Sequence, residues 1–187
     1  MVRIVAGTAR GRKLETPEGL ETRPTLDRVK EAIFGSLQFD VPYSRVLDLF
    51  SGSGNLGLEA ASRGASHVVL NDRNAACVRI IRSNAARLGF DGVTRILNCD
   101  FLAAIDLLSR EGERFHLAFL DAPYREGTAQ IACEELFRRK MILPGGTVVI
   151  EFSTDLPPHG VDGLMRIRSL KRYGRCGFAL IEEESKE

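Results

Sequence analysis

The stretch Val46-Leu47-Asp48-Leu49-Phe50-Ser51-Gly52-Ser53-Gly54-Asn55-Leu56-Gly57 decides the fold of this 187-residue chain. Its first five residues form a short, mostly apolar run that ends at a glycine-rich turn, which predicts a buried strand. The turn fits the pattern G-x-G-x-x-G, and the apolar residues after it continue as a helix. A strand, a glycine turn and a helix in this order favour an α/β fold in which a ligand lies against the turn.

Strand and helix patterns alternate from this stretch onward. Further strands are predicted at residues 67–70, 94–98, 115–120 and 147–152, the last after a Leu143-Pro144-Gly145-Gly146 turn, and helices at residues 75–88, 101–108 and 128–140. Residues 164–173 and 175–181 are strand-like and flank Gly174, which predicts a terminal antiparallel hairpin. The predicted fold is α/β, a Rossmann-like, mostly parallel seven-stranded sheet with a C-terminal antiparallel hairpin. This is the layout of class I S-adenosylmethionine-dependent methyltransferases.

The first 45 residues lie outside this alternation. Apolar residues recur at helical spacing between residues 29 and 37, and Thr25 is the expected N-cap of that helix. Residues 3–5 and 13–14 are expected to form short strands joined by a glycine-containing turn. We therefore predict an N-terminal hairpin and helix extension at residues 1–40 and a methyltransferase catalytic domain at residues 41–187.

Composition argues against several classes of protein. No apolar run approaches the ~20 residues that a membrane-spanning helix needs, and the N-terminus lacks the apolar segment of a signal peptide, so we expect a cytoplasmic protein. The four cysteines form no C-x-x-C pair and the three histidines lack ligand spacing, so neither a disulfide framework nor a metal site is predicted. The small size and the absence of an obvious exposed apolar helix favour a monomer.

Basic residues form two clusters, although the net charge is only +1. Arg3, Arg10, Arg12 and Lys13 precede any acidic residue, and a second basic run without acids lies between residues 166 and 175. Such clusters favour a local contact with a polyanion. Solvated strand faces are the alternative.

Three carboxylates follow strands near the glycine turn. Asp72 has the position from which a carboxylate accepts hydrogen bonds from ribose hydroxyls. Asp48 would repel a dinucleotide pyrophosphate but not a sulfonium donor with an ammonium group, which favours S-adenosylmethionine. Alternatively, Asp48 orders the turn by hydrogen bonding. Asp100 has a position from which it accepts a hydrogen bond from the adenine amine, caps the following helix, or does both.

The fourth strand ends at Asp121-Ala122-Pro123-Tyr124, which resembles the (Asn/Asp)-Pro-Pro-(Tyr/Phe) signature of amino-group methyltransferases. An amine conjugated to a purine is a poor nucleophile, because its lone pair is delocalised into the ring. The Asp121 carboxylate and the Ala122 carbonyl would accept its two N–H bonds and aim the lone pair at the methyl group. Pro123 would fix the backbone and Tyr124 would stack on the extruded base. A strand-end turn with a capping aspartate and a core tyrosine is the alternative.

The chain resembles the RsmD-type family, bacterial methyltransferases that modify the exocyclic N2 of one guanine in 16S ribosomal RNA. The resemblance covers nearly the whole chain. It rests on Arg3-Ile4-Val5-Ala6-Gly7, Gly11-Arg12-Lys13-Leu14, Thr22-Arg23-Pro24-Thr25, Asp27-Arg28-Val29-Lys30-Glu31-Ala32, Leu47-Asp48-Leu49-Phe50 with the glycine turn, residues 121–124 and Lys171-Arg172-Tyr173-Gly174. The chain departs from the family at Ala122, where the signature has proline, and at Arg175-Cys176, where the family tends to have an acidic residue.

The resemblance implies S-adenosyl-L-methionine as the cofactor, small-subunit ribosomal RNA or a 30S assembly particle as the partner, and an N-terminal arm that contacts RNA. The expected catalytic residues are Asp121, Ala122, Pro123 and Tyr124. The expected cofactor-binding residues are Asp48, Phe50, Ser51, Gly52, Ser53, Gly54, Gly57, Asp72, Asp100 and Phe101. The expected RNA-binding residues are Arg10, Arg12, Lys13, Arg23 and Arg28. For Arg23 and Arg28, pairing with Asp27 or Glu31 is the alternative to phosphate binding.

Other functions share parts of this pattern. DNA and protein-glutamine amino-methyltransferases share the tetrapeptide. The chain leaves little room for the target-recognition region of a DNA methyltransferase. A protein substrate would not explain the basic N-terminal arm. A nicotinamide-dependent oxidoreductase shares the glycine turn, whereas Asp48 and the terminal hairpin argue against it. A non-catalytic RNA-binding module is the remaining alternative.

Overall fold

The structure, a computed structural model, describes residues 2–17, 24–122 and 127–184, with the backbone alone at residues 24–27. Its helices are α1 (Pro24–Ser36), α2 (Asn55–Ser62), α3 (Ala75–Leu88), α4 (Phe101–Arg110) and α5 (Thr128–Arg138). Its strands are β1 (Arg45–Asp48), β2 (His67–Asn71), β3 (Thr94–Leu97), β4 (Phe115–Leu120), β5 (Ile142–Ser153), β6 (Met165–Tyr173) and β7 (Cys176–Glu183).

Within the described residues, these seven strands form one sheet in the order β3-β2-β1-β4-β5-β7-β6. Strands β1 to β5 are parallel, and β7 runs antiparallel to both β5 and β6. The predicted sheet with a terminal antiparallel hairpin is therefore confirmed. Because parallel strands all end at one edge, the turns that follow β1, β2, β3 and β4 meet there.

Apolar side chains cover both faces of the sheet. One face packs against α1, α2, α3 and the N-terminal segment, whose Val2, Ile4 and Leu14 belong to the same buried cluster as Phe119 and Val149 of the sheet. The other face packs against α4 and α5. Burial on both faces explains why the central strands are continuously apolar. No helix in the described part of the chain is long and apolar enough to cross a bilayer.

Three local predictions were wrong. Strand β5 begins at Ile142, so the turn expected at residues 143–146 is instead an irregular part of the strand, with Gly145 at φ 77° and a register shift on β4. Helix α1 begins at Pro24, which places Thr25 inside the helix and not at its cap; proline suits a first helical position because its φ is already helical. The two N-terminal strands are reduced to a single bridge between Arg3 and Lys13.

Candidate active site

Three carboxyl side chains meet at the carboxyl edge of the sheet. Asp48 ends β1, Asp121 directly follows β4, and Glu151 lies near the end of β5. The register of these strands and the alternation of side chains along a strand turn all three toward the face that α1 and α2 cover. They line one cavity of about 70 Å³, whose other walls are Lys30, Phe50, Ser51, Asn55 and Leu56.

Asp48 is buried at the base of this cavity, with 1% of its surface exposed. Its Oδ2 accepts a hydrogen bond from the Gly57 N–H at 2.8 Å, and its backbone carbonyl accepts one from the Ser51 hydroxyl at 2.7 Å. Burial raises the pKa of the Asp48 carboxyl to about 7, although the Gly57 hydrogen bond opposes this rise. Asp48 therefore orders the turn, as one of the two alternatives predicted, and it also lines the cavity.

The glycine turn allows α2 to pack closely against the sheet. A Cβ atom at Gly57 would lie 2.7 Å from Leu70 Cδ2 and 3.1 Å from Asp48 Oδ2, so a larger residue would displace one of them. Gly52 has a φ of 56°, and its N–H donates to Asp72 Oδ2 at 2.9 Å. The turn is thus held between the carboxylates that follow β1 and β2.

The carboxylates after β2 and β3 also have protein partners. Asp72 Oδ1 accepts a hydrogen bond from the Asn74 N–H at 2.8 Å. Asp100 is the N-cap of α4 and accepts from the Leu102 N–H at 3.1 Å. The capping role of Asp100 is therefore observed, whereas the ribose contact of Asp72 and the adenine contact of Asp100 stay predictions.

Two aromatic rings lie together at the same edge of the sheet. Phe50 follows β1 and Phe101 opens α4, and their ring centroids are 5.6 Å apart. Both side chains are half-buried, so each retains some surface for a flat ligand. Nearby, the buried Ser53 and Gly54 complete the turn, and the Ser53 carbonyl accepts a hydrogen bond from Asn84 Nδ2 at 3.0 Å. Cofactor contact by these residues stays a prediction.

Asp121 opens toward the cavity and does not pack into the core. Its side chain is exposed, while the surrounding protein removes enough of its hydration to raise the pKa of its carboxyl to about 6. Ala122 is buried beside it, with 4% of its surface exposed. Pro123 and Tyr124 lie outside the described residues. The structure thus brings Asp121 and Asp48 together at one cavity.

Two polar side chains of α2 fasten the N-terminal segment to the sheet domain. The buried Glu59 carboxylate accepts hydrogen bonds from the N–H groups of Val5 and Ala6 at 2.7 and 3.0 Å. The Ser62 hydroxyl donates to the Ala6 carbonyl at 2.6 Å. Gly7 approaches so closely that a Cβ atom there would lie 1.8 Å from the Ser62 carbonyl oxygen. The segment is therefore a fixed part of the structure as far as residue 9.

Lys30 connects this segment to the glycine turn. Only 1% of it is exposed, and its Nζ donates to the Arg3 carbonyl at 2.6 Å and to Asn55 Oδ1 at 2.8 Å. The same Nζ lies 3.3 Å from Glu59 Oε2. Asn55 lies within the glycine turn and opens α2, so one buried cation joins α1, the N-terminal segment and the wall of the cavity.

The predicted RNA-binding residues differ in their contacts with the rest of the protein. Arg10 and Lys13 are exposed and form no ion pair with the described residues. Arg12 is exposed too, but its Nη2 donates to a backbone carbonyl of α3 at 2.8 Å. Arg28 is exposed on α1 and does not pair with Glu31. Arg23 lies outside the described residues, and RNA contact by all five stays a prediction.

The second basic run lies on β6 and the turn after it. Arg166 pairs with Glu182 of β7 at 2.6 Å, and Lys171 Nζ donates to the Ser36 hydroxyl of α1 at 3.1 Å. Part of this run is therefore paired within the protein on a strand face, and its contact with a polyanion stays a prediction.

Sequence reasoning missed three buried ionic residues that shape the site: Lys30, Glu59 and Glu151. A charge within an apolar stretch was the available signal for Glu59 in α2 and for Glu151 in β5. For Lys30 this signal is absent, because the charged Glu31 follows it directly in α1.

The sheet order, the glycine turn after β1 and the acidic residues at the ends of β1 and β2 define a class of protein. They are the features of the class I methyltransferase fold, which confirms the predicted fold class.

Comparison with known proteins narrows this class. The family model described as Conserved hypothetical protein 95 matches residues 2–182. The chain is 38% identical over 184 residues to ribosomal RNA small subunit methyltransferase D of Escherichia coli K12, covering 98% of this chain and 91% of that protein. It is 33% identical over 159 residues to the Haemophilus influenzae protein of the same name, covering 83% of this chain and 81% of that protein.

A solved structure of a hypothetical protein from Thermus thermophilus matches with a TM-score of 0.82 and 32% identity, covering 96% of this chain and 98% of that one. The chain belongs to the ribosomal RNA small subunit methyltransferase D family, which confirms the RsmD-type resemblance.

Proposed function

We propose that the protein transfers a methyl group from S-adenosylmethionine to the exocyclic N2 amine of a guanine in 16S ribosomal RNA, and that it acts as a cytoplasmic monomer. The observation that supports this most is the position of Asp121, a suitable amine acceptor, in one cavity with Asp48, Ser51 and Asn55. The names of the relatives support small-subunit ribosomal RNA as the substrate class.

In this proposal, Asp121 and Ala122 orient the reacting amine. S-adenosylmethionine supplies an electrophilic methyl group on a sulfonium sulfur. The Asp121 carboxylate accepts one N–H of the amine and the Ala122 carbonyl accepts the other, which draws the nitrogen lone pair out of conjugation with the ring. The nitrogen gains the methyl group and loses one proton, which Asp121 accepts and releases to water. A pKa of about 6 suits this proton transfer near neutral pH.

The residues of the cavity fit a cationic donor. Asp48 and Asp121 are two carboxyls with raised pKa values in one small cavity, and each would be stabilised by a nearby positive charge. A bound sulfonium and its ammonium group bring such charge. Asp72 would hold the ribose hydroxyls, and Asp100 with Phe101 would hold the adenine.

Methyl transfer to isolated subunits tests the proposal. We expect the protein to transfer label from S-adenosylmethionine to small subunits from cells that lack the modification, and digestion of the RNA to release the label as N2-methylguanine. Subunits that are already modified are the control and should accept no label. Label on ribosomal protein, on DNA or on another atom of the RNA would contradict the proposed substrate.

A charge-reversal pair tests whether the N-terminal arm binds RNA. We choose Arg10→Glu with Lys13→Glu, because Arg12 also bonds to α3. Each lost phosphate contact should reduce the slope of log affinity against log salt by about 0.7 to 0.9. Arg110→Glu with Lys140→Glu changes the charge equally on the opposite face and should leave the slope unchanged. Equal slopes for both pairs would show that RNA does not contact the arm.

A further inference from the structure

Glu151 is a buried carboxyl that has no hydrogen-bond or ion-pair partner among the described residues. Only 7% of it is exposed, and within the described residues its side chain accepts no hydrogen bond and forms no ion pair. Asp48 and Glu59, which are also buried, both accept backbone hydrogen bonds. A buried carboxyl without such a bond destabilises the folded state. A hydrogen-bond donor that enters the cavity would therefore be bound favourably by Glu151.

The strand register puts Glu151 beside Asp121. Strands β4 and β5 are adjacent and parallel, and Leu120 pairs with Ile150. Asp121 and Glu151 are the next residue of each strand, so their backbones lie about 4.8 Å apart and their side chains share a face. Burial raises the pKa of Glu151 well above its usual range, and the charges of Asp121 and Asp48 add to this rise. The two carboxyls thus form an adjacent pair in one cavity.

The order of the strands separates the donor side of the site from the acceptor side. The carboxylates expected to contact the methyl donor, Asp72 and Asp48, follow β2 and β1. Asp121 follows β4, the next strand in the sheet, and Glu151 lies on β5, one strand further from the donor. A ligand that reaches Glu151 while its amine contacts Asp121 is therefore the methyl acceptor.

Guanine differs from the other amine-bearing bases at a ring nitrogen adjacent to the carbon that bears the amine. Guanine N1 bears a hydrogen, whereas adenine N1 and cytosine N3 present lone pairs at the corresponding position. An ionised carboxyl beside Asp121 accepts the guanine N1–H and repels the lone pair of the other two bases. The neutral acid, which the raised pKa favours, also prefers guanine, since its carbonyl oxygen accepts the N1–H while its hydroxyl donates to O6. Adenine N1 or cytosine N3 would accept only one hydrogen bond, from that hydroxyl.

We propose that Glu151 is a substrate-contacting residue that accepts the N1–H of the target guanine while Asp121 holds its N2 amine. This inference rests on the proposed function, because it takes guanine N2 as the methyl acceptor. It makes Glu151 a residue that selects guanine at the site of transfer.

Two substitutions at Glu151 test this role. Glu151→Met keeps the length of the side chain and removes both oxygens, so kcat/KM for small subunits should fall by about a hundredfold. Donor affinity should stay within about threefold, and the Tm should not fall, because an unpartnered buried carboxyl is removed. Glu151→Gln should recover most of the activity, since its amide oxygen accepts N1–H and its amino group donates to O6.

The control and the product analysis distinguish the possible outcomes. Glu183→Met makes the same change at an exposed position of β7 and should leave kcat/KM unchanged. If wild-type protein yields N2-methylguanine but Glu151→Met keeps full activity, the inference is contradicted while the proposed function stands. Equal loss of Tm, donor affinity and activity in both Glu151 variants would assign Glu151 a structural role instead. If wild-type label is on another acceptor, the proposed function fails, and the inference with it.

Discussion

Asp121→Ala should lower the rate of methyl transfer by about a hundredfold to a thousandfold. Asp121 is the carboxyl that would orient the amine, and it opens into the cavity that Asp48 also lines. Its removal takes away orientation and the acceptor of the released proton without altering the glycine turn. Single-turnover transfer from labelled S-adenosylmethionine measures the rate, and calorimetry with S-adenosylhomocysteine should show donor affinity within about threefold of the wild type.

Asp121→Asn is the matched control, because its amide oxygen still accepts an N–H bond. We expect it to keep much more activity than the alanine variant. Loss of hydration in the cavity raises the pKa of Asp121 to about 6, so the wild-type rate should rise as the pH increases through about 6 and the carboxyl ionises. This rise should be absent in the asparagine variant, which has no proton to lose. If the alanine variant keeps the wild-type rate, Asp121 has no role in methyl transfer.

The strand and helix pattern was predictable because it is local. Strands β1, β2 and β4 are short, mostly apolar runs, and residues that stop regular structure follow several elements; Gly89, for example, ends α3 at a φ of 75° as expected. The same local signal failed at Gly145, which suggested a turn before β5. There residues 143–146 have no partner on β4, but Ile142 and Thr147 on either side of them pair with Phe115 and Leu117, so the strand continues beyond the irregular residues. Tertiary pairing thus overrode a local preference.

The candidate site was predictable only where its residues follow strands directly. Asp48, Asp72, Asp100 and Asp121 come at or just after strand ends, and parallel strands bring their ends together whatever the rest of the chain does. The partners of the buried charges come from distant parts of the chain instead. Glu59, for example, bonds to Val5, 54 residues earlier. Sequence analysis that assumes every charged residue to be exposed cannot identify buried charged residues whose partners are distant in the sequence.

Glu59→Ala should lower the free energy of unfolding by about 3–5 kcal/mol, because it breaks the buried ion pair with Lys30. The Glu59 carboxylate is fully buried, lies 3.3 Å from Lys30 Nζ and accepts from Arg63 Nε at 2.8 Å. It also accepts from the N–H groups of Val5 and Ala6, so its loss releases the N-terminal segment as well. Urea unfolding followed by circular dichroism measures the change.

A double substitution separates the ion pair from the other contacts of Glu59. Lys30→Met with Glu59→Met should destabilise the protein less than the sum of the two single changes, because neither charge is then left buried alone. Glu135→Ala removes a carboxylate from the helix surface, where it pairs with Arg139 at 3.0 Å, and should change stability by about 0.5 kcal/mol or less. If Glu59→Ala unfolds at the wild-type urea concentration, other contacts hold the segment on α2. The wall that Lys30 and Asn55 form around the cavity would then not depend on Glu59.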